Sequence, residues 1–243
     1  RRTDDKTNAN VLILGNSGQG KSYLLKLLLC NVREAGKSVI SLDSEHEMED
    51  ECRALGGCFL DYLSGQYRIN LLEPRCWDDG SGPEDPDAPD AFRGTLLSQH
   101  ISFLRDFFRS YKPFDEAQVD TIEMMLGKLY EMWGINNQTD FSLLGPKDYP
   151  VLSDLHALME EEYQRVRSTE GGELYTPELL RSACLGLHSM CVGADAKFFN
   201  GHTNLQSDRL VFFNVKDLME GGKNIKDAML FNVLSYISHT LIS

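Results

Sequence analysis

The 243 residues contain no apolar run near the roughly 18 residues of a membrane-spanning helix; the richest, Tyr23 to Cys30, is broken by Lys26. The opening Arg1-Arg2-Thr3-Asp4-Asp5 has neither an initiator Met nor the apolar stretch of a signal peptide. The expectation is therefore an excised segment of a cytoplasmic protein. Basic residues are scarce, 24 Lys and Arg against 37 Asp and Glu, for a formal charge of -13. That balance excludes nonspecific attraction to nucleic acid or anionic lipid, while a local basic channel stays open. The six cysteines (Cys30, Cys52, Cys58, Cys76, Cys184, Cys191) include no CxxC pair and no Cys/His set at zinc-ligand spacing. They read as cytosolic thiols without a metal. The histidines (His46, His100, His156, His188, His202, His239) form no close pair along the chain and read as surface or core filler.

What is present is alternation. Val11-Leu12-Ile13-Leu14 reads as a buried strand ending at Gly15, and Lys21 to Glu34 carries apolar residues at helical spacing. After Gly36 come a strand at Val39 to Asp43, a polar helix near Glu47 to Leu55 and a strand at Cys58 to Leu60. This order predicts a mainly parallel α/β sheet. From Pro74 the character changes. Asp78 to Asp87 is acidic and rich in Pro and Gly, which predicts a mobile loop. Leu97, Ile101, Leu104, Phe108 and Tyr111 then share one helical face, as do Val119, Ile122, Leu126, Leu129 and Trp133. Further helices are expected at Leu152 to Val166 and Pro177 to Cys191. A strand at Arg209 to Val215 and a helix at Asp227 to Ile242 restore the α/β pattern. The expected division is a first core part at 1–75, a helical insertion at 76–205 and a returning core part at 206–243.

Gly15-Asn16-Ser17-Gly18-Gln19-Gly20-Lys21-Ser22 has the phosphate-loop pattern, glycine, four residues, then Gly-Lys-Ser, between strand and helix. The bare pattern arises by chance in roughly 1% of chains this long, and its context narrows that further. Glycines let successive N–H groups converge on phosphate oxygens, and the helix that follows directs its positive end at the same anion. Lys21 would add a full charge on the outer phosphates, and Ser22 would place its hydroxyl on magnesium. Residues 15–22 together with Tyr23 are thus the expected site for a nucleoside triphosphate and Mg2+.

Asp43-Ser44-Glu45-His46-Glu47 follows the second strand. Its carboxylates have two readings: an acidic cap opening the helix at Glu47, or groups that position magnesium or water at the crevice. The acids at Asp61 and Asp217 also follow strands, but no Asp-Glu pair of a hydrolytic Walker B strand appears. Asn224-Ile225-Lys226-Asp227 has its lysine one place late for a guanine-reading element, which argues against a GTPase.

Several segments together resemble the conjugative type IV secretion ATPases, the VirB/TraC-like motors in the HerA-FtsK group. They are Asn8-Ala9-Asn10-Val11 leading into the phosphate loop, the acidic box at 43–47, and Arg68-Ile69-Asn70-Leu71-Leu72. They continue in Tyr149-Pro150-Val151-Leu152-Ser153-Asp154-Leu155 and Phe199-Asn200-Gly201-His202-Thr203-Asn204 with the strand behind it. The resemblance implies a RecA-like P-loop core interrupted by an all-helical subdomain. It implies ATP and Mg2+, and a hexameric motor at the cytoplasmic face of a secretion channel, working with other channel components. It carries catalytic roles onto Lys21 and, within the acidic box, onto Glu45 or Glu47. The family pattern continues into a Walker B strand, a sensor and an arginine finger that have no counterpart in these residues. The competing readings are a DNA translocase of the same group, which the acidic charge disfavours, an assembly module that binds nucleotide without hydrolysing it, and a phosphotransferase with the helices as its lid.

Overall fold

The computed structural model describes residues 11–61, 64–75, 95–168, 174–205, 210–216 and 223–242. In chain order these form α1 (Lys21–Glu34), β1 (Val39–Asp43), α2 (Glu49–Ala54), β2 (Cys58–Asp61), α3 (Leu96–Tyr111) and α4 (Glu116–Met132). Then follow α5 (Leu152–Arg167), α6 (Pro177–Cys191), α7 (Ala196–Phe199), β3 (Leu210–Asn214) and α8 (Lys223–Ile242). The α/β class expected from alternation holds. The three strands form one sheet in the order β1-β3-β2. β1 and β3 run parallel, with Val39 opposite Leu210 and Asp43 opposite Asn214.

Contacts divide the chain into two compact units, residues 1–60 with 207–214, and residues 61–206 with 215–243. In the first, Leu29 of α1, Met48, Cys52 of α2, and Leu210 and Phe212 of β3 form a small apolar core, against which Val39, Leu55 and Phe59 pack. β3 is buried at every position, as befits the strand between two others. Its register with β1 sets the C-terminal ends of both strands side by side, the end at which α/β sheets place their ligands.

Val11 to Leu14 is not a strand: no ladder includes it, and Val11, Leu12 and Leu14 are 79%, 81% and 80% exposed. A strand exists only through its neighbours' hydrogen bonds, and none of the described strands pairs with this run. The acidic stretch 78–87 lies outside the described residues.

The second unit is helical. Thr95 caps α3 by accepting from the Ser98 N–H, and Asp115 and Gln118 form a reciprocal capping box on α4. Phe103, Phe107, Tyr111 and Phe199 meet Phe231 of α8 in a chain of ring contacts with centroids 5.1–6.5 Å apart. Each such buried ring contributes about 1.5–3 kcal/mol. The helical stripes are packing seams as expected, except that Trp133 follows the end of α4 and stays 41% exposed.

Residues 68–75 join this unit through polar contacts that are buried around Asn70 and Arg75. The Arg68 N–H donates to Asn204 Oδ1 at 2.7 Å and the Asn70 N–H to Thr203 Oγ1 at 3.0 Å. The Asn70 side-chain amide donates to the Pro150 carbonyl at 2.9 Å, and Asn200 Oδ1 accepts from the Ser153 N–H at 2.9 Å. Arg75, 2% exposed, donates to Asn232 Oδ1 at 2.9 Å and to the Asn70 carbonyl. Three of the segments that carry the family resemblance thus converge on one polar node, buried at Asn70. Gly201 belongs to it for a steric reason: its φ is +139°, and a Cβ there would lie 2.8 Å from Arg68 Cδ.

Candidate functional site: a glycine loop beside an acidic box

The loop 15–20 closes onto the start of α1. Gly18 and Gly20 both adopt φ of +78°, in the left-handed region that glycine occupies without a Cβ clash, and added Cβ atoms would meet open space. Gly20 takes the N-cap position of α1 and offers no side-chain acceptor. The first N–H groups of the helix, which have no intrahelical partner, are therefore left for an external anion. Lys21 Nζ donates back to the Asn16 carbonyl at 2.8 Å, and its methylenes lie 3.5 Å from the Cβ position of Gly15. The lysine is thus folded over the loop. An outer phosphate would exchange a neutral carbonyl for an ionic partner.

Ser22 donates to Glu47 Oε2 at 2.9 Å. This contact brings the acidic box to the phosphate loop across 25 residues of sequence. Asp43 organises the box: its buried carboxylate accepts from the N–H groups of Glu45 at 3.2 Å, Glu47 at 3.3 Å and Met48 at 2.9 Å. The box is therefore a turn wrapped around the last carboxylate of β1. It does not cap a helix at Glu47, since α2 begins at Glu49 with Met48 in the cap position. The side chain of Glu45 stands exposed, as do Gly15, Asn16, Ser17, Gly18, Gln19, Gly20 and Tyr23. Among Lys21, Ser22, Glu45 and Glu47, the structure joins Ser22 to Glu47 directly and keeps Lys21 on the loop.

His46 and Asn214 belong to the same corner, although sequence reasoning assigned neither. His46 holds φ of +59°, uncommon for a residue with a side chain. Its Nε2 lies 2.7 Å from Glu49 Oε2 and its Nδ1 3.0 Å from the Asn214 amide nitrogen. Its ring tilts against Phe59 with centroids 5.2 Å apart. The His46 contact and then Arg53 hold the Glu49 carboxyl below the usual carboxylate range. The available signal was position: a histidine inside the acidic turn, and an amide at the end of the adjacent strand.

The donor set fits a magnesium-bound polyphosphate. An uncapped helix start and two left-handed glycines suit the phosphate oxygens, Lys21 supplies a mobile cation, and the Ser22 hydroxyl lies next to a carboxylate.

No protein-family model matches the chain. An uncharacterized Bacillus anthracis protein is 25% identical over 264 residues, covering 98% of this chain and 38% of that protein. The solved structure of VirB4 of Thermoanaerobacter pseudethanolicus superposes with a TM-score of 0.78 and 28% identity, covering 98% of this chain and 57% of that one. The chain thus spans 38% of one relative and 57% of the other. No helix among the described residues is long and apolar enough to cross a membrane. Over almost its whole length the chain is similar in sequence and in fold to VirB4, the similarity that its phosphate loop, acidic box and 199–204 segment indicated.

Proposed function

We propose that the chain is the ATP-binding part of a motor of the type IV secretion kind, in which ATP hydrolysis drives substrate transfer or assembly of the pilus or channel. The observation that carries this reading is the Ser22–Glu47 contact, which joins a complete phosphate loop to the acidic turn after β1. The similarity to VirB4 supports it. In this reading the backbone of residues 15–20 and the start of α1 bind the phosphates, and Lys21 leaves the Asn16 carbonyl to neutralise the outer one. Ser22 would hold Mg2+ through its hydroxyl oxygen, and Glu47 beside it would orient a water. Bound Mg2+ supplies charge neutralisation across the phosphates. Asp43 and His46 hold the turn in place. We further propose residues 76–205 as a helical insertion in the nucleotide-binding core, and a homo-oligomer, hexameric by the resemblance, working at the inner membrane face with other channel components.

A second reading has its own observation. β3, the strand beside β1, ends in the amide of Asn214 followed by Val215 and Lys216, without a carboxylate pair. This favours an assembly module that binds nucleotide without hydrolysing it. Magnesium-dependent ATP turnover by the assembled protein separates the two. The motor reading expects turnover that Lys21→Ala abolishes and that Glu47→Gln lowers with little change in ATP affinity. Absence of turnover in the assembled wild type overturns it.

A further inference from the structure

α5 and α6 pack against each other in the helical unit and bring together side chains of metal-binding type that sequence order keeps apart. His156 and Glu160 lie one turn apart on α5, and Cys184 and His188 lie one turn apart on α6. Donor atoms of His156, Glu160 and Cys184 all fall within 4.8 Å of one another. His156 Nδ1 is 3.7 Å from Glu160 Oε2, beyond hydrogen-bond length. The rings of His156 and His188 have centroids 5.4 Å apart at an interplanar angle of 58°. Two imidazoles on one tetrahedral zinc, with Zn–N bonds of about 2.0–2.1 Å, have ring centres roughly 5 Å apart. His156 and His188, which form no close pair along the chain, are thus brought together by helix packing.

We propose that His156, Glu160, Cys184 and His188 form a zinc site that clamps α5 to α6. Two imidazoles, a thiolate and a carboxylate make a four-ligand set with no net charge around Zn2+, and thiolate with imidazole selects zinc over magnesium or calcium. Burial suits the site: His156 is 5% and Cys184 8% exposed, so the soft ligands are held in the helix interface. Glu160 and His188 are exposed and close the site from outside. Access exists, because Glu160 and Cys184 line a cleft of about 520 Å³ together with Tyr163, Gln164 and Arg181. A tetrahedral zinc site has ligand atoms roughly 3.5 Å apart, so His156, Glu160 and Cys184 close in by about an ångström and the exposed His188 turns in to take the fourth position. The ligands come from i, i+4 pairs on two helices, with 23 residues between Glu160 and Cys184, which is why no linear zinc motif announces them.

The test is a Co2+ titration of the purified protein without nucleotide and with magnesium in excess, followed by displacement with Zn2+. The expected result is one equivalent bound with tetrahedral d–d bands and a thiolate-to-cobalt charge-transfer band, unaffected by Lys21→Ala. Cys184→Ser removes the charge-transfer band, whereas Cys191→Ser keeps it. His188→Ala, at an exposed position that leaves the fold intact, weakens binding by more than roughly tenfold. No stoichiometric tetrahedral cobalt in the wild type overturns the proposal, as does a charge-transfer band that survives Cys184→Ser or an affinity unchanged by His188→Ala. Because nucleotide is absent, these outcomes are independent of the phosphate-loop reading.

Discussion

Lowering the pH from 7 to 5 should destabilise the helical unit through one buried ring. His100, on α3, is fully buried and stacks on Phe103 with centroids 5.7 Å apart. Burial first, and then the nearby charge of Arg75, push its pKa down to about 3, against a smaller opposing pull from the backbone of Leu71. In the unfolded chain the same ring titrates near 6.5. The sign follows: above pH 6.5 both states are neutral and stability is full, whereas below it the unfolded chain takes up a proton that the folded one refuses. Stability therefore falls as pH drops toward the folded value. For a single group with these two values the loss between pH 7 and pH 5 is about 2 kcal/mol. His239, also lowered by burial, adds to the loss with the same sign. The assay is urea unfolding followed by far-ultraviolet circular dichroism at pH 7, 6 and 5, on wild type and His100→Leu. The substitution should remove about 2 kcal/mol of the pH dependence, whatever it does to stability at pH 7. If both proteins lose the same stability over that range, the account of His100 as a buried neutral ring is wrong.

Asp43→Ala leaves three N–H groups of the acidic turn without their acceptor. It should cost about 2–3 kcal/mol by urea unfolding and weaken ATP binding, while Asp43→Asn should retain part of both. Gly201→Ala puts a Cβ 2.8 Å from Arg68 Cδ at a φ of +139°. A loss of about 1–3 kcal/mol is expected, with nucleotide affinity unchanged. Glu162 accepts from Lys128 at 2.6 Å, from Arg165 at 2.7 Å and 2.8 Å, and from the Tyr175 hydroxyl. Arg165 foremost holds its carboxyl far below the usual range, so this stability is present above about pH 4.3 and lost as pH falls further. Glu162→Gln should cost about 2–3 kcal/mol at pH 7 and flatten the acid limb of the unfolding profile.

How much of this was legible in the sequence depended on how local each cause is. α1, β1, α5 and α6 end where their periodicity, glycines and caps end, because those signals lie within one turn or one strand of the boundary. The phosphate loop is legible for the same reason. Val11 to Leu14 has a strand's composition, yet a strand also needs a partner, and composition does not name one. The acidic box was visible as chemistry but not as geometry. That Asp43 turns inward to hold the loop while Glu47 reaches Ser22 depends on how α2 and α1 lie beside β1. Asn214 enters that corner through strand register, and His156 meets His188 through helix packing. Both contacts span 32 residues or more, beyond the reach of any local pattern.

The central claim is that residues 15–22 are a nucleotide phosphate site completed by Glu47. The most direct test is calorimetric titration of ATP with magnesium into wild type, Lys21→Ala and Ser22→Ala, repeated without magnesium. The account predicts wild-type binding that Lys21→Ala weakens at least roughly tenfold, with or without the metal, since a full charge on the phosphates is lost. It also predicts that Ser22→Ala removes the advantage magnesium confers and leaves metal-free binding nearly unchanged. Equal ATP affinity in wild type and Lys21→Ala, or no binding by the wild type, would contradict it.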